Sequence, residues 1–132
     1  MNIFLRPTPF AARIFISCIL AVAFLMPSES YAHAKLVKSD PGRRAIIKTA
    51  PKEIRLWFNE KLEPAYSTAV LLDDKDKPVA TGPAMISRDD PKRISLALDA
   101  LAPGIYRVKY RVLSIDGHVV DSSFTFTLQA AR

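Results

Sequence analysis

Thiols are almost missing from this 132-residue chain, whose one cysteine, Cys18, lies inside a leading apolar segment. Loss of that segment leaves no thiol, which excludes a disulfide framework, a cysteine zinc cluster and a soft thiolate metal site. Thioethers do not replace it, because Met85 is the only methionine beyond residue 26. Histidine is equally scarce, with His33 and His118 alone. No basic run concentrates the excess of 19 Lys and Arg over 13 Asp and Glu. The charge therefore reads as a mildly basic, solvated surface and not as a nucleic-acid site. The chain also lacks a nucleophile–base pair, a cofactor-binding loop, a repeat and a low-complexity tract.

What is present begins with an apolar run, "IFISCILAVAFLM" (residues 14–26), preceded by Arg6 and Arg13. It falls short of the roughly 20 residues that span a bilayer, and its charged flank is that of a secretory signal peptide. No lipobox surrounds Cys18. The polar stretch "PSESYA" then offers Ser30 and Ala32 as the −3 and −1 residues of a cleavage site, which predicts a signal at residues 1–32 and a mature domain at residues 33–132. Ala32-His33-Ala34 satisfies the same small-x-small rule. Cleavage after Ala32 makes His33 the new N-terminus, and cleavage after Ala34 discards it. Residues 1–32 hold two of the 19 basic and one of the 13 acidic residues, leaving a mature charge of +5. About 100 residues suffice for a packed core without covalent staples.

Beyond His33 the sequence consists of short alternating segments separated by turn residues, the signature of an antiparallel sandwich. "AKLVKS" (34–39) ends at Asp40-Pro41-Gly42. "EIRLWFN" (53–59) puts Ile54, Leu56 and Phe58 on an inner face. "STAVLLD" (67–73) and "PVAT" (78–81) flank a polar hairpin loop, and "RISLALD" (93–99) turns Ile94, Leu96 and Leu98 inward. The turn "LAPG" (101–104) leads into "IYRVKYRVLS" (105–114), with Tyr106, Val108, Tyr110 and Val112 inward. "SSFTFTL" (122–128) follows with Phe124, Phe126 and Leu128. Seven strands in about 100 residues predict an all-β, immunoglobulin-like sandwich. The Cys-Trp-Cys core of true immunoglobulin domains is absent. Trp57 and Tyr66 fall on polar positions, as binding anchors or as residues covered by loops. Lysines interleave Asp73, Asp74 and Asp76 without EF-hand spacing, so these read as a solvated hairpin tip.

The chemistry concentrates at two places. Asp116-Gly117 is a strong turn signal, and the turn it predicts carries His118. If His33 is the mature N-terminus, its α-amine and imidazole Nδ1 close a six-membered chelate on one metal ion. The Asp116 carboxylate and the His118 imidazole complete four N and O donors, with Gly117 easing the backbone between them. Three nitrogens and one oxygen in a square-planar set suit Cu(II), whereas Zn(II) prefers a tetrahedron.

"HAKLVKSDP", "APKEIRLWFNE", "LAPGIYRVKYRVLSIDGH" and "FTFTL" together resemble the copper-resistance CopC family over essentially all of residues 33–132. The resemblance implies a seven-stranded Greek-key β-sandwich in the periplasm, soluble and monomeric. It implies one Cu(II) ion held by His33, Asp116 and His118, and a carrier that hands copper to a CopD-type inner-membrane transporter. Glu60 matches an acidic position sometimes counted near the metal and reads first as an exposed strand-end carboxylate. The region "LLDDKDKPVATGPAMIS" departs from members with a methionine-rich Cu(I) loop, so the resemblance supports the Cu(II) site alone. A non-catalytic binding protein is expected. The alternative is an oxidative monooxygenase with an N-terminal-histidine copper brace, against which a third equatorial ligand from Asp116 reduces the open coordination oxygen needs.

Overall fold

Alternation of apolar and polar residues gives each strand one wet and one dry face, and the dry faces are hidden by packing two sheets together. The computed structural model describes residues 34–130. One sheet has the order β1 (Leu36–Asp40), β3 (Glu53–Phe58), β6 (Arg93–Leu98), β5 (Thr81–Ile86). The other has the order β2 (Ile46–Ile47), β8 (Val119–Leu128), β7 (Gly104–Leu113), β4 (Thr68–Leu72). Paired strands run antiparallel except β2, which lies parallel to β8. The β5–β6 and β7–β8 connections stay within a sheet and the others pass between sheets, as in Greek-key sandwiches.

The inner faces are those the alternation assigns. Ile54, Leu56 and Phe58 of β3, Ile94 and Leu96 of β6, Val108 and Val112 of β7, and Phe126 and Leu128 of β8 are all buried, and Leu98 packs against them partly covered. Each such side chain contributes about 1.5–3 kcal/mol by leaving water. Aromatic rings tie the layers: Phe58 meets Tyr110 edge-on at 5.5 Å, and Tyr106 stacks on Phe126 at 5.5 Å. Trp57 faces outward, with the Lys38 ammonium 4.8 Å and the Arg55 guanidinium 5.7 Å from its ring. Tyr66 is exposed on a 3₁₀ turn at Pro64–Tyr66.

The structure has eight strands where the alternation gives seven. "PVAT" is not a strand: Pro78 makes one isolated bridge to Leu72, and the Val79 N–H donates to the Leu71 carbonyl before the chain leaves for the other sheet. The strand lies later, at Thr81–Ile86, where Gly82 and Pro83 hide it in the sequence. Proline is tolerated there because β5 is an edge strand and its ladder shifts register between Thr81 and Ala84. Strand β2, only two residues long, carries no period that a sequence pattern can reveal.

The 73–77 loop is a hairpin tip, as expected. Asp73 Oδ1 accepts from the N–H groups of Lys75 and Lys77, and Asp76 pairs with Arg107 at 2.6 Å. The Lys77 and Lys75 amides and both ammonium groups hold the Asp73 carboxyl below its ordinary value against partial desolvation. Tyr106, at the start of β7, donates its hydroxyl to the Ala102 carbonyl at 2.6 Å, fastening the Pro-Gly turn to the core. Burial first, and then the carboxylates of Asp73 and Asp74, push its phenol up. The folded state thus favours the neutral phenol, a stabilisation fully present below about pH 10 and lost as pH rises through the folded value. Tyr106→Phe should cost about 0.5–1.5 kcal/mol in denaturant unfolding at neutral pH. It should also remove the extra alkaline loss of stability that the wild type shows, which unfolding curves between neutral and alkaline pH would reveal.

Candidate metal centre

The β7–β8 hairpin turns at residues 114–118, and its geometry follows from the residues. The Gly117 N–H donates to the Ser114 carbonyl at 2.9 Å, and the Ser114 N–H donates to the His118 carbonyl at 3.0 Å. Gly117 takes φ +92°, open on the side where a Cβ would stand. This is a tight turn closed by a left-handed residue, the three-residue hairpin that glycine permits. Asp116 and His118 therefore flank one glycine at the tip of a two-stranded ladder.

Their side chains meet. His118 Nδ1 lies 3.1 Å from Asp116 Oδ2, and the His118 N–H donates to Asp116 Oδ1 at 3.2 Å. The Ser114 hydroxyl donates to the same Oδ1. Ser114 is fully buried, the one polar residue in that class among the described residues, whereas the side chains of Asp116 and His118 are 30% and 48% exposed. The Ser114 hydroxyl is the main cause that holds the Asp116 carboxyl below its ordinary value, helped by the His118 amide and imidazole and opposed by partial desolvation. The carboxylate is thus anionic and oriented before any cation arrives. Its contact with Nδ1 holds the imidazole beside the carboxylate, so the two donor groups stand together at the tip.

A second segment joins this loop to the start of the described chain. The Ile115 N–H donates to the Lys61 carbonyl at 3.1 Å, and Leu62 bridges Ser114. Two residues before Lys61, Asn59 receives the chain start: its N–H donates to the Lys35 carbonyl at 3.1 Å, and its Oδ1 accepts from the Lys35 N–H. Lys92 Nζ steadies the Asn59 carbonyl at 2.9 Å, and Ala34 is buried. Residues 59–62 therefore carry both the approach of the N-terminal segment and the Asp116-Gly117-His118 loop. Glu60 lies half-buried on this connector.

Of the expected ligands the structure brings Asp116 and His118 together, while His33 lies outside the described residues. Among the described residues no three of His, Cys, Asp and Glu converge on a metal-sized space. The donors present are one imidazole and one carboxylate, an N and O pair that suits a divalent transition metal and needs further ligands. Sequence reasoning passes over Ser114 and Asn59. The serine had a signal, since a hydroxyl two residues before an aspartate in a turn is placed to bond it. Asn59 had none, because its partner is remote in sequence.

The sequence model of the CopC domain matches residues 36–129. The copper resistance protein C of Xanthomonas campestris pv. juglandis is 35% identical over 117 residues, covering 84% of this chain and 91% of that protein. The copper transport protein CutJ of Bacillus subtilis (strain 168) is 31% identical over 120 residues, which span 90% of this chain and 22% of that one. Among solved structures, CopC from Methylosinus trichosporium OB3b superposes with a TM-score of 0.71 at 38% identity, covering 76% of this chain and 97% of that chain.

Ser114→Ala should let the Asp116 carboxyl rise toward its ordinary value, because the largest cause of its depression is removed. Carboxyl carbon shifts followed by NMR through acid titration measure this. An unmoved Asp116 midpoint would mean that the amide and imidazole of His118 suffice.

Proposed function

Because the chain belongs to the CopC family, we propose that it is a periplasmic Cu(II)-binding protein that sequesters or carries copper without turning over a substrate. A copper-related function follows from the family itself. The finer reading assigns four donors: the α-amine and Nδ1 of His33 after cleavage behind Ala32, a carboxylate oxygen of Asp116 and an imidazole nitrogen of His118.

One observation carries this reading, the connector at residues 59–62. Asn59 binds Lys35, and Lys61 binds Ile115. Two residues span at most about 7 Å of chain, and His33 stands two residues before Lys35 just as Asp116 stands one after Ile115. The shared connector supports the reading that a His33 terminus approaches the Asp116–His118 pair. Each donor has its own physical role. The preformed Asp116 carboxylate supplies anionic charge to a divalent cation, the imidazole of His118 beside it supplies a neutral nitrogen, and the terminal chelate closes the set. The reading extends to delivery to a CopD-type inner-membrane transporter, and CutJ, a copper transport protein, carries a region similar to this chain.

His118→Ala and His33→Ala should each weaken Cu(II) binding by about 10- to 100-fold or more, as loss of a ligand does more harm than loss of its outer partner. Adding one residue before His33 should do comparable damage, since it converts the amine to an amide. Competition titration against a chromophoric chelator measures all three, and native-like affinity in the extended protein would refute the terminal chelate. Intact mass of the exported protein, with and without Cu(II), should match residues 33–132 plus one copper ion. A mass corresponding to residues 35–132 would remove His33 from the site.

A further inference from the structure

The hairpin that carries the copper loop also leaves one corner of the sandwich open. Inward positions of β8 hold Phe124, Phe126 and Leu128, all buried, but the next inward position toward the loop is Ser122, which is exposed. Strand β2 covers the outer edge of β8 only at Thr127 and Leu128. A small residue on an uncovered edge opens a cavity of about 560 Å³ between β8 and the loop that follows β1.

Its lining is specific in kind. Arg43 and Arg44 stand on one side, and Ser122, Ser123 and Thr125 on the other. Tyr110 and Phe124 form an aromatic floor. No carboxylate lines the space, and among the described residues neither arginine has an ion-pair partner. Arg43 is steadied by donating one Nη2 hydrogen to the Leu36 carbonyl at 3.2 Å, which leaves its remaining donors available. Arg44 adopts φ +58° in the turn closed by the Ala45 N–H on the Gly42 carbonyl. That conformation favours glycine or asparagine, and a long cationic residue held there is a strained choice that clusters at binding sites. The Arg44 N–H, donating to Thr125 at 2.7 Å, fixes the turn against the cavity wall. Tyr110 is 5% exposed, and its hydroxyl, without a hydrogen-bond partner among the described residues, is not one of the fully buried polar atoms, so it reaches the solvent of the cavity. A phenol hydroxyl that reaches the cavity can donate to a ligand atom placed there.

We infer that this cavity binds a small organic carboxylate, its anion held between Arg43 and Arg44 and its apolar body resting on the rings of Tyr110 and Phe124. Guanidinium forks match a carboxylate in shape as well as charge. The hydroxyls of Ser122, Ser123 and Tyr110 add donors for its oxygens, and the aromatic floor excludes a bare inorganic anion as the best fit. The inference is independent of the copper site, because none of these residues is among the proposed ligands.

The test is an amide-proton NMR titration of the protein, as the cell processes it, with benzoate as probe, benzamide as its neutral counterpart and inorganic phosphate as a bare anion. Benzoate should shift the amides of residues 122–125 and Tyr110 in a saturable manner, with benzamide and phosphate at least tenfold weaker. The double variant R43Q/R44Q should lose at least tenfold in benzoate affinity. Ser122→Leu, which continues the apolar alternation of β8 and fills the cavity, should abolish binding while preserving the fold and Cu(II) affinity. Equal response to benzamide or phosphate would overturn the inference. So would shifts scattered over the basic surface, or benzoate binding that survives in a folded Ser122→Leu protein.

Discussion

An antiparallel ladder in which both strands are ten residues long leaves the turn between them almost no freedom of register. The β7–β8 pair is such a ladder, and most of the molecule depends on it. Its inward side chains supply much of the core, and its pairing from Gly104 opposite Leu128 to Leu113 opposite Val119 fixes where residues 114–118 must turn. A one-residue slip would expose Phe124 and Phe126 and bury Ser123 and Thr125, so the apolar core itself enforces the register. The position of Asp116 and His118 is therefore set by hydrophobic burial along the whole hairpin and only refined by local hydrogen bonds. Those bonds are few and specific: Gly117 supplies the left-handed backbone, and Ser114, buried beneath the tip, aims the carboxylate.

The connector at residues 59–62 gives this turn a partner in the opposite sheet. It leaves β3 on one side of the sandwich and bonds β7 at its end on the other, through Leu62 with Ser114 and through the Glu63 N–H on the Leu113 carbonyl. A hairpin tip is ordinarily among the most mobile parts of a sheet. Here it is clamped across both layers, so the orientation of Asp116 is established on folding. A cation that needs only to displace water from oriented donors loses less to reorganisation than one that must order a loop. The same connector receives the N-terminal segment at Asn59, which joins the two ends of the sequence motif through backbone bonds that do not depend on side-chain identity at Lys35 or Lys61.

Much of this was legible in the chain because its period of two is strong where both faces have a clear fate. The inner residues of β3, β6, β7 and β8 follow directly from alternation. Strands β2 and β5 escaped for physical reasons. One is too short to have a period, and the other carries glycine and proline that an edge strand tolerates, with a Cβ at Gly82 standing 3.3 Å from that of Ala97. Asp116 and His118 were readable because Asp-Gly dictates a turn wherever it occurs. The burial of Ser114 was not, since it comes from Leu62, remote in sequence. The open corner at Ser122 was equally hidden, because a serine on the inner face means nothing until the length of β2 is known.

The two sites proposed on the hairpin are separated by an amount that decides how they relate. His118 and Ser122 are four residues apart on one extended strand, about 13 Å. Screening in physiological salt acts over about 8 Å, so the field of a cation at the tip is largely quenched by solvent before it reaches Arg43 and Arg44. Direct electrostatic coupling between a bound Cu(II) ion and a carboxylate in the cavity is therefore weak. Coupling through the structure would require the ladder to shift, and the register that buries Phe124 and Phe126 opposes that. A rigid hairpin thus keeps the two proposed sites, of opposite ligand charge, unlinked. The tip presents a carboxylate and an imidazole, the open corner presents two guanidiniums, and the paired residues between them, Val119 and Val120 opposite Leu113 and Val112, hold the two apart.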